Sequence, residues 1–255
     1  MILTTFTHAG GVGKTSIVLN VGYRLGELGY RVLLIDLDPQ ANLTTWLGVE
    51  DAELSETVSD LALQHGPLPE PRTVHGIGLI PSHIDLAELE GGLRERIGGI
   101  LRLRRALEAQ RDQWDVVLID GPPSLGQLAG FGALAADALL VPIVMRTKGI
   151  DALNGLNRMM PQYHELRPEL QVGIYVPTMY GNRGEDRELY QSLVRRGFGP
   201  MTSPVPQREA AWNRAATRGL PVLLSEPKSD AAEDVKRLTD ELIEQLQLQK
   251  AEVPA

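Results

Sequence analysis

Three groups of residues in this 255-residue chain have the types and spacing that phosphate chemistry requires. The first is Thr7-His8-Ala9-Gly10-Gly11-Val12-Gly13-Lys14-Thr15-Ser16. Closely spaced glycines let a backbone turn tightly enough to point successive N–H groups at one anion, and a helix that follows adds its positive end. Lys14 is then placed to charge-pair with the β- and γ-phosphates, and Thr15 to offer Mg²⁺ a hydroxyl. The second group, Asp36-Leu37-Asp38-Pro39-Gln40, sets two carboxylates at alternate positions. The third is Asp120, which ends the apolar run Val116-Val117-Leu118-Ile119. A carboxylate in that place holds Mg²⁺ in many phosphoryl-transfer sites, although it also serves as an ordinary helix cap.

These residues need a scaffold, and the hydrophobic pattern supplies one. Ile2-Leu3-Thr4-Thr5-Phe6 reads as a buried strand ahead of the glycine-rich turn. Ile17, Val18, Val21, Leu25 and Leu28 then recur at helical spacing, and Gly29 stops that helix before the strand Arg31–Asp36. Strand, turn, helix, strand is a βαβ unit. Strands that are apolar at nearly every residue are buried on both faces, which predicts a parallel sheet covered by helices on each side. Residues 76–81, 115–120, 138–143 and 172–176 continue the strands, with a helix from about 149 to 163. Residues 51–75 read as a helix and a Pro-rich connection, and 85–110 as helix interrupted near Gly91-Gly92 and Gly98-Gly99. From residue 229 to about 250, Val235, Leu238, Leu242, Ile243 and Leu246 share one helical face, predicting a C-terminal helix docked on the core. The fold class expected is α/β, a doubly wound, mostly parallel sheet in one domain over 1–255. Ligands of such sheets sit at the C-terminal strand ends, where Asp36 and Asp120 fall.

Composition narrows the classes. Hydrophobic residues make up 43% and charged residues 23%, as in ordinary globular chains, and the absence of cysteine removes disulfides, thiolate metal sites and cysteine nucleophiles. The first strand is too short to span a bilayer and lacks a basic flank, so no export is expected and a cytoplasmic location is. A net charge of -8 argues against a protein basic all over, and leaves room for a local basic face.

The phrases Gly10-Gly11-Val12-Gly13-Lys14-Thr15, Asp36-Leu37-Asp38-Pro39-Gln40-Ala41-Asn42 and Asp120-Gly121-Pro122-Pro123-Ser124-Leu125-Gly126 together resemble the ParA/MinD group of deviant P-loop ATPases, most closely its ParA (Soj-like) members. The general P-loop pattern has glycine where this chain has His8. The resemblance covers almost the whole chain and implies a P-loop NTPase fold with ATP and Mg²⁺ as ligands. It implies that Gly10 to Ser16 cradle the phosphates, with Thr178, Met179 and Pro206 near the adenine. Lys14 would act on the transferring phosphoryl group and Asp38 on the attacking water, with Thr15, Asp36 and Asp120 serving the metal. The family's signature lysine, which reaches the partner's phosphates in the nucleotide-bound dimer, is Ala9 here, which implies slow hydrolysis. His8, Arg146 and Lys148 are the candidates to replace it, against the alternative that each is a solvated side chain. A second departure is Gly181, where the family often has Asp.

The implied function is DNA partition, of a plasmid or chromosome. ATP drives homodimerisation, the dimer binds double-stranded DNA without sequence preference and becomes nucleoid-associated, and a ParB-like partner stimulates hydrolysis and release. Arg183, Arg187, Arg195, Arg196, Arg208, Arg214 and Arg218 form the expected DNA-binding set, against the alternative that they pair with Glu185, Asp186, Glu188 and Glu209. Two other readings stay open: a nucleotide-binding regulator or adaptor with little turnover, and a MinD-like membrane-cycling ATPase. The second would need a cationic amphipathic tail, and the polar face of this one is acidic, so no membrane partner is expected. Nothing precedes the first strand that reads as a helix-turn-helix, so operator-specific binding is not expected.

Overall fold

A computed structural model describes residues 1–93, 95, 98–181 and 183–251. Seven strands form one sheet: β1 Ile2–Thr5, β2 Val32–Asp36, β3 Arg72–Val74, β4 Ile77–Ile80, β5 Val116–Asp120, β6 Ala138–Val144 and β7 Gln171–Thr178. Their order across the sheet is β3-β4-β2-β5-β1-β6-β7. Every pairing is parallel except β3 with β4. The α/β, doubly wound, mostly parallel sheet expected from the apolar runs is the one observed. β2 and β5 are buried at all five of their residues, as strands covered on both faces must be.

The α-helices are α1 Lys14–Glu27, α2 Asn42–Trp46, α3 Ser59–Gln64, α4 Leu89–Gly92, α5 Arg102–Ala109, α6 Gln127–Ala135, α7 Thr147–Leu166, α8 Gly184–Arg195, α9 Glu209–Thr217, α10 Val222–Ser225 and α11 Asp230–Gln245. One face of the sheet packs α1, α2, α9, α10 and α11 through Ile17, Leu43, Ala215, Val222 and Val235. The other packs α3 to α6 through Leu61, Leu89, Leu103 and Leu128, and continues under α7 with Leu153 and Leu156. Alternate residues of β2 divide between the faces, Leu34 to the first and Leu33 with Ile35 to the second.

One stretch differs from the sequence reading. The Pro-rich connection contains β3, a three-residue antiparallel edge strand held by Arg72, whose guanidinium pairs with Asp51 and Glu56. The 85–110 region is interrupted at the expected glycines: α4 ends at Gly92, and Gly98 adopts φ 69 and starts a new turn ahead of α5. The helix α11 packs on the core through Val235, Leu238 and Leu242 and ends at Gln245, and the chain beyond it returns Lys250 to the Leu28 carbonyl and the Tyr30 ring. No helix among the described residues is long and apolar enough to cross a membrane.

Candidate functional site

Strand register builds the site. β5 lies between β1 and β2, and Asp120 is in register with Thr5 on one side and Asp36 on the other. The C-terminal ends of three strands are therefore level, and the chain leaves each of them toward the same edge. After β1 it runs through residues 6–13 into α1. Gly11 at φ 66 and Gly13 at φ 94 take conformations that side chains resist, and Gly13 is the N-cap of α1. The loop is anchored from β7, where the Thr178 hydroxyl donates to the Val12 carbonyl at 2.9 Å.

A cleft of about 590 Å³ opens over this loop. Every loop residue from Gly10 to Ser16 lines it, as do Asp38, Thr178, Met179 and Pro206. The sequence reading drew these residues from four separate places in the chain, and the fold brings them to one cavity. Lys14 is 6% exposed and its Nζ donates to the Ala9 carbonyl at 3.3 Å, so the ammonium bends back across the loop. The Thr15 hydroxyl donates to Asp120 Oδ2 at 2.7 Å, and the Thr5 hydroxyl to Asp120 Oδ1 at 3.1 Å. Met179 takes φ 51, a left-handed backbone rarely adopted by a side-chain-bearing residue, and it does so in the cleft wall.

Asp36 corrects the expectation placed on it. It is fully buried and does not line the cleft. One oxygen accepts from the Thr44 N–H at 3.0 Å and the Thr44 hydroxyl at 2.8 Å, while the other accepts from the Asp38 N–H at 3.1 Å. Three of roughly four acceptor positions are thus spent on fixing the Asp38 loop and α2. Its oxygens are engaged by the protein rather than turned into the cleft. The alternation suggested two carboxylates pointing together, whereas Asp38 lines the cleft and the Asp36 carboxylate is held by Thr44 and the Asp38 N–H.

Burial pushes the Asp36 carboxyl up, with the neighbouring Asp120 charge adding to the shift and the Thr44 and Asp38 donors opposing it. Burial also raises Asp120, against the Thr15 hydroxyl, the Lys14 charge and the Thr5 hydroxyl. Two carboxylates share a low-dielectric corner with too little positive charge. A divalent cation between Thr15, Asp120 and phosphate oxygens suits that donor set: Mg²⁺ keeps several waters and takes few protein ligands in phosphate sites. Among the described residues no cluster of three acidic or histidine side chains offers a complete metal cage, so the cation would arrive with its phosphates.

Several cleft residues escaped sequence reasoning. Trp46 at the end of α2 and Trp212 on α9 both line the cavity, as does Arg208. Arg208 is held by Asp230 and Asp234 of α11, each at 3.0 Å. Asn20 also lines the cleft and accepts from the Val222 N–H at 2.8 Å, tying α10 to α1. Only Trp46 carried a signal, as a large aromatic closely following the Asp38 loop.

The arginines expected to contact DNA separate into two kinds. Arg214 is bidentate on Glu226, at 2.5 and 2.9 Å, and Arg218 donates to the Ser225 hydroxyl at 3.1 Å. Arg183, Arg187, Arg195 and Arg196, on and beside α8, are exposed and make no ion pair among the described residues. Asp186, offered as one of their partners, is 2% exposed and accepts from the Gly181 N–H instead. Of the three cations considered in place of the missing lysine, His8 packs on Gly155 of α7 and Arg146 reaches Gln207, while the side chain of Lys148 lies outside the described residues. Ala9 itself is 5% exposed in an apolar corner with Val12, Val144 and Ala152.

Comparison with known proteins agrees with this geometry. A family model described as an AAA domain matches residues 1–174. The chain is 40% identical over 261 residues to a probable plasmid-partitioning protein ParA of Thermus thermophilus, covering 98% of this chain and 80% of that one. It is 30% identical over 237 residues to the sporulation initiation inhibitor protein Soj of Bacillus subtilis, covering 91% and 94%. Among solved structures, a protein titled cobyrinic acid a,c-diamide synthase from Mycobacterium smegmatis, with bound ADP and magnesium, superposes with TM-score 0.81 at 30% identity over 99% of both chains. With its sheet, its glycine-rich loop and relatives at this identity over most of their length, the chain belongs to the ParA/Soj-like partition ATPases.

Proposed function

We propose that this protein is an ATP-dependent switch for DNA partition. The observation that carries the reading is the cleft: a loop of backbone donors, Lys14, Thr15 and Asp38 line one cavity, and the buried Asp120 backs it through the Thr15 hydroxyl. ATP is the ligand these groups suit. Gly10 to Ser16 hold its phosphates, Lys14 moves from the Ala9 carbonyl to the β- and γ-phosphates, and Thr178, Met179 and Pro206 face the base. Thr15 and Asp120 hold Mg²⁺, which when bound neutralises phosphate charge. Asp38 orients the attacking water. Residues 1–255 act as a single ATPase domain, and the nucleotide-bound form is a homodimer.

DNA contact is assigned to the α8 side. A phosphate backbone is attracted to guanidinium groups that lack a carboxylate partner, and among the described residues Arg183, Arg187, Arg195 and Arg196 meet that condition where Arg214 does not. The names of the relatives support partition as the process. In this reading a ParB-like protein stimulates hydrolysis and release in the cytoplasm. The low-turnover adaptor is the second reading, favoured by the buried Ala9 methyl. Calorimetric titration with a non-hydrolysable ATP analogue and Mg²⁺, paired with sedimentation, tests the core of the proposal. Analogue binding with conversion of monomer to dimer is the expected result; no binding, or dimerisation indifferent to nucleotide, contradicts it.

A further inference from the structure

We propose that a second cavity, between α3 and α5, is a binding site for a phosphate group, held by the guanidiniums of Arg102 and Arg105. The cavity has a volume of about 380 Å³ and shares no lining residue with the nucleotide cleft. The two lie on opposite sides of the sheet. Leu61 and Leu68 at the cavity pack with the second face, while Ile17 and Val235 at the cleft pack with the first.

Arg102 lines the cavity and is 7% exposed, so its charge has been taken almost wholly out of water. Burying a charge is costly unless it is paired. Its Nη1 donates to the Ala62 carbonyl and its Nη2 to His65 Nε2 at 2.6 Å; a guanidinium only donates, so the imidazole nitrogen accepts. Neither acceptor carries a negative charge, and no carboxylate reaches Arg102 among the described residues. Ala62 is in the last turn of α3, whose C-terminal end supplies partial charge alone.

Arg105 stands one turn along the same helix. It also lines the cavity, is exposed, and makes no hydrogen bond or ion pair among the described residues. Arg104 beside it shows the contrast, being met by Glu108 and Asp137, each at 2.6 Å. Three arginines thus occupy the first turn of α5, which holds no acidic residue. That is the positive end of the helix dipole, where an anion is favoured and added cations are not. Two of the three bring uncompensated charge to one cavity.

The ligand class follows from that charge. Two guanidiniums without a carboxylate match a dianion, and their planar forks fit the oxygens of a phosphate group. Leu61, Pro67 and Leu68 make the rest of the wall apolar. A phosphate monoester with a compact apolar substituent uses both parts of the cavity, and free phosphate uses the charged part. The burial of Arg102 favours such a small ligand over a DNA backbone, to which it offers almost no surface.

Calorimetric titration of the full chain with phenyl phosphate and with inorganic phosphate tests the proposal. Each titration is run with and without saturating ADP and Mg²⁺, which separates this cavity from the glycine-rich loop. Saturable binding of one phenyl phosphate that survives ADP is the expected result. Arg105→Ala, at an exposed and unpaired side chain, should keep the fold and weaken that binding at least about tenfold, the scale of one charge-assisted hydrogen bond. Arg102→Lys keeps a charge but loses the fork, and should weaken it too. Arg158→Ala, at an exposed arginine of α7, should leave it within about twofold. Tighter binding of phenyl phosphate than of phosphate identifies a monoester as the ligand, and equal affinity the free anion. No saturable binding of either probe, displacement of both by ADP, or equal weakening by Arg105→Ala and Arg158→Ala overturns the assignment. Should the probes fail to bind while Arg105→Ala weakens binding of a random-sequence DNA duplex, the arginines belong to a DNA surface and the assignment is likewise overturned.

Discussion

Replacing Asp38 separates its structural role from its catalytic one, because the structure lets the two costs be compared. Its backbone is held without the side chain: the Asp38 carbonyl accepts from the Ser82 hydroxyl at 2.6 Å and the Ala41 N–H at 2.8 Å, and the Asp38 N–H donates to Asp36. The carboxylate makes one local bond, accepting from the Gln40 N–H at 3.0 Å. Losing that bond costs about 1 kcal/mol, or about 2–4 °C in Tm for a domain of this size. Losing a group that orients or deprotonates the attacking water costs about 10²- to 10⁴-fold in rate, equivalent to about 3–5 kcal/mol of barrier. Asp38→Asn keeps an acceptor for Gln40 and removes the charge, so it should leave stability and analogue affinity nearly intact while turnover collapses. Single-turnover hydrolysis, calorimetry with a non-hydrolysable analogue and thermal melting on the same preparation provide the comparison. Turnover within about threefold of the unaltered chain would refute the reasoning, as would loss of nucleotide binding.

Three further substitutions probe other parts of the account. Lys14→Ala should weaken analogue binding at least about tenfold, the scale of a charge-assisted contact, and calorimetry reads it directly. Reversing charge at Arg183, Arg187, Arg195 and Arg196 should weaken binding to all DNA sequences alike and flatten its salt dependence, whereas reversal at Arg214 and Arg218 should do less; fluorescence anisotropy across a salt series distinguishes them. Asp115 gives a pH signature. Burial raises its carboxyl, but the Arg31 side chain and the Arg31 and Ala251 N–H groups outweigh burial and hold it down to about 2. Its folded value lies below the unfolded one near 3.8, so its stabilisation is present above about pH 4 and is lost as pH falls toward 2. With Arg31 half exposed, the effect is about 1–2 kcal/mol. Urea melts of Asp115→Asn and the unaltered chain should differ at pH 6 and converge near pH 2.

The sheet was legible because its central strands are apolar at almost every position, and the loop because glycine, lysine and threonine were adjacent in sequence. What was hidden depended on distance in the chain. β3 is three residues beside prolines, too short to carry a period, and it exists because Arg72 finds Asp51 and Glu56. Trp46 and Trp212 meet at the cleft from elements more than a hundred residues apart, which no local pattern marks. The arginines looked alike in sequence, yet Glu226 and α11 neutralise Arg214 and Arg208 from afar and leave the α8 set unpaired. Asp36 was misread because the Thr44 groups and the Asp38 N–H that hold its carboxylate are brought to it by the fold.

The central claim is that nucleotide in the cleft controls DNA binding. Its most direct test is the equilibrium affinity for a random-sequence DNA duplex at fixed salt, with no nucleotide, with ADP and Mg²⁺, and with a non-hydrolysable ATP analogue and Mg²⁺. The account predicts tight, salt-sensitive binding with the ATP analogue alone, and weak binding in the other two conditions. Equal DNA affinity in all three would contradict it.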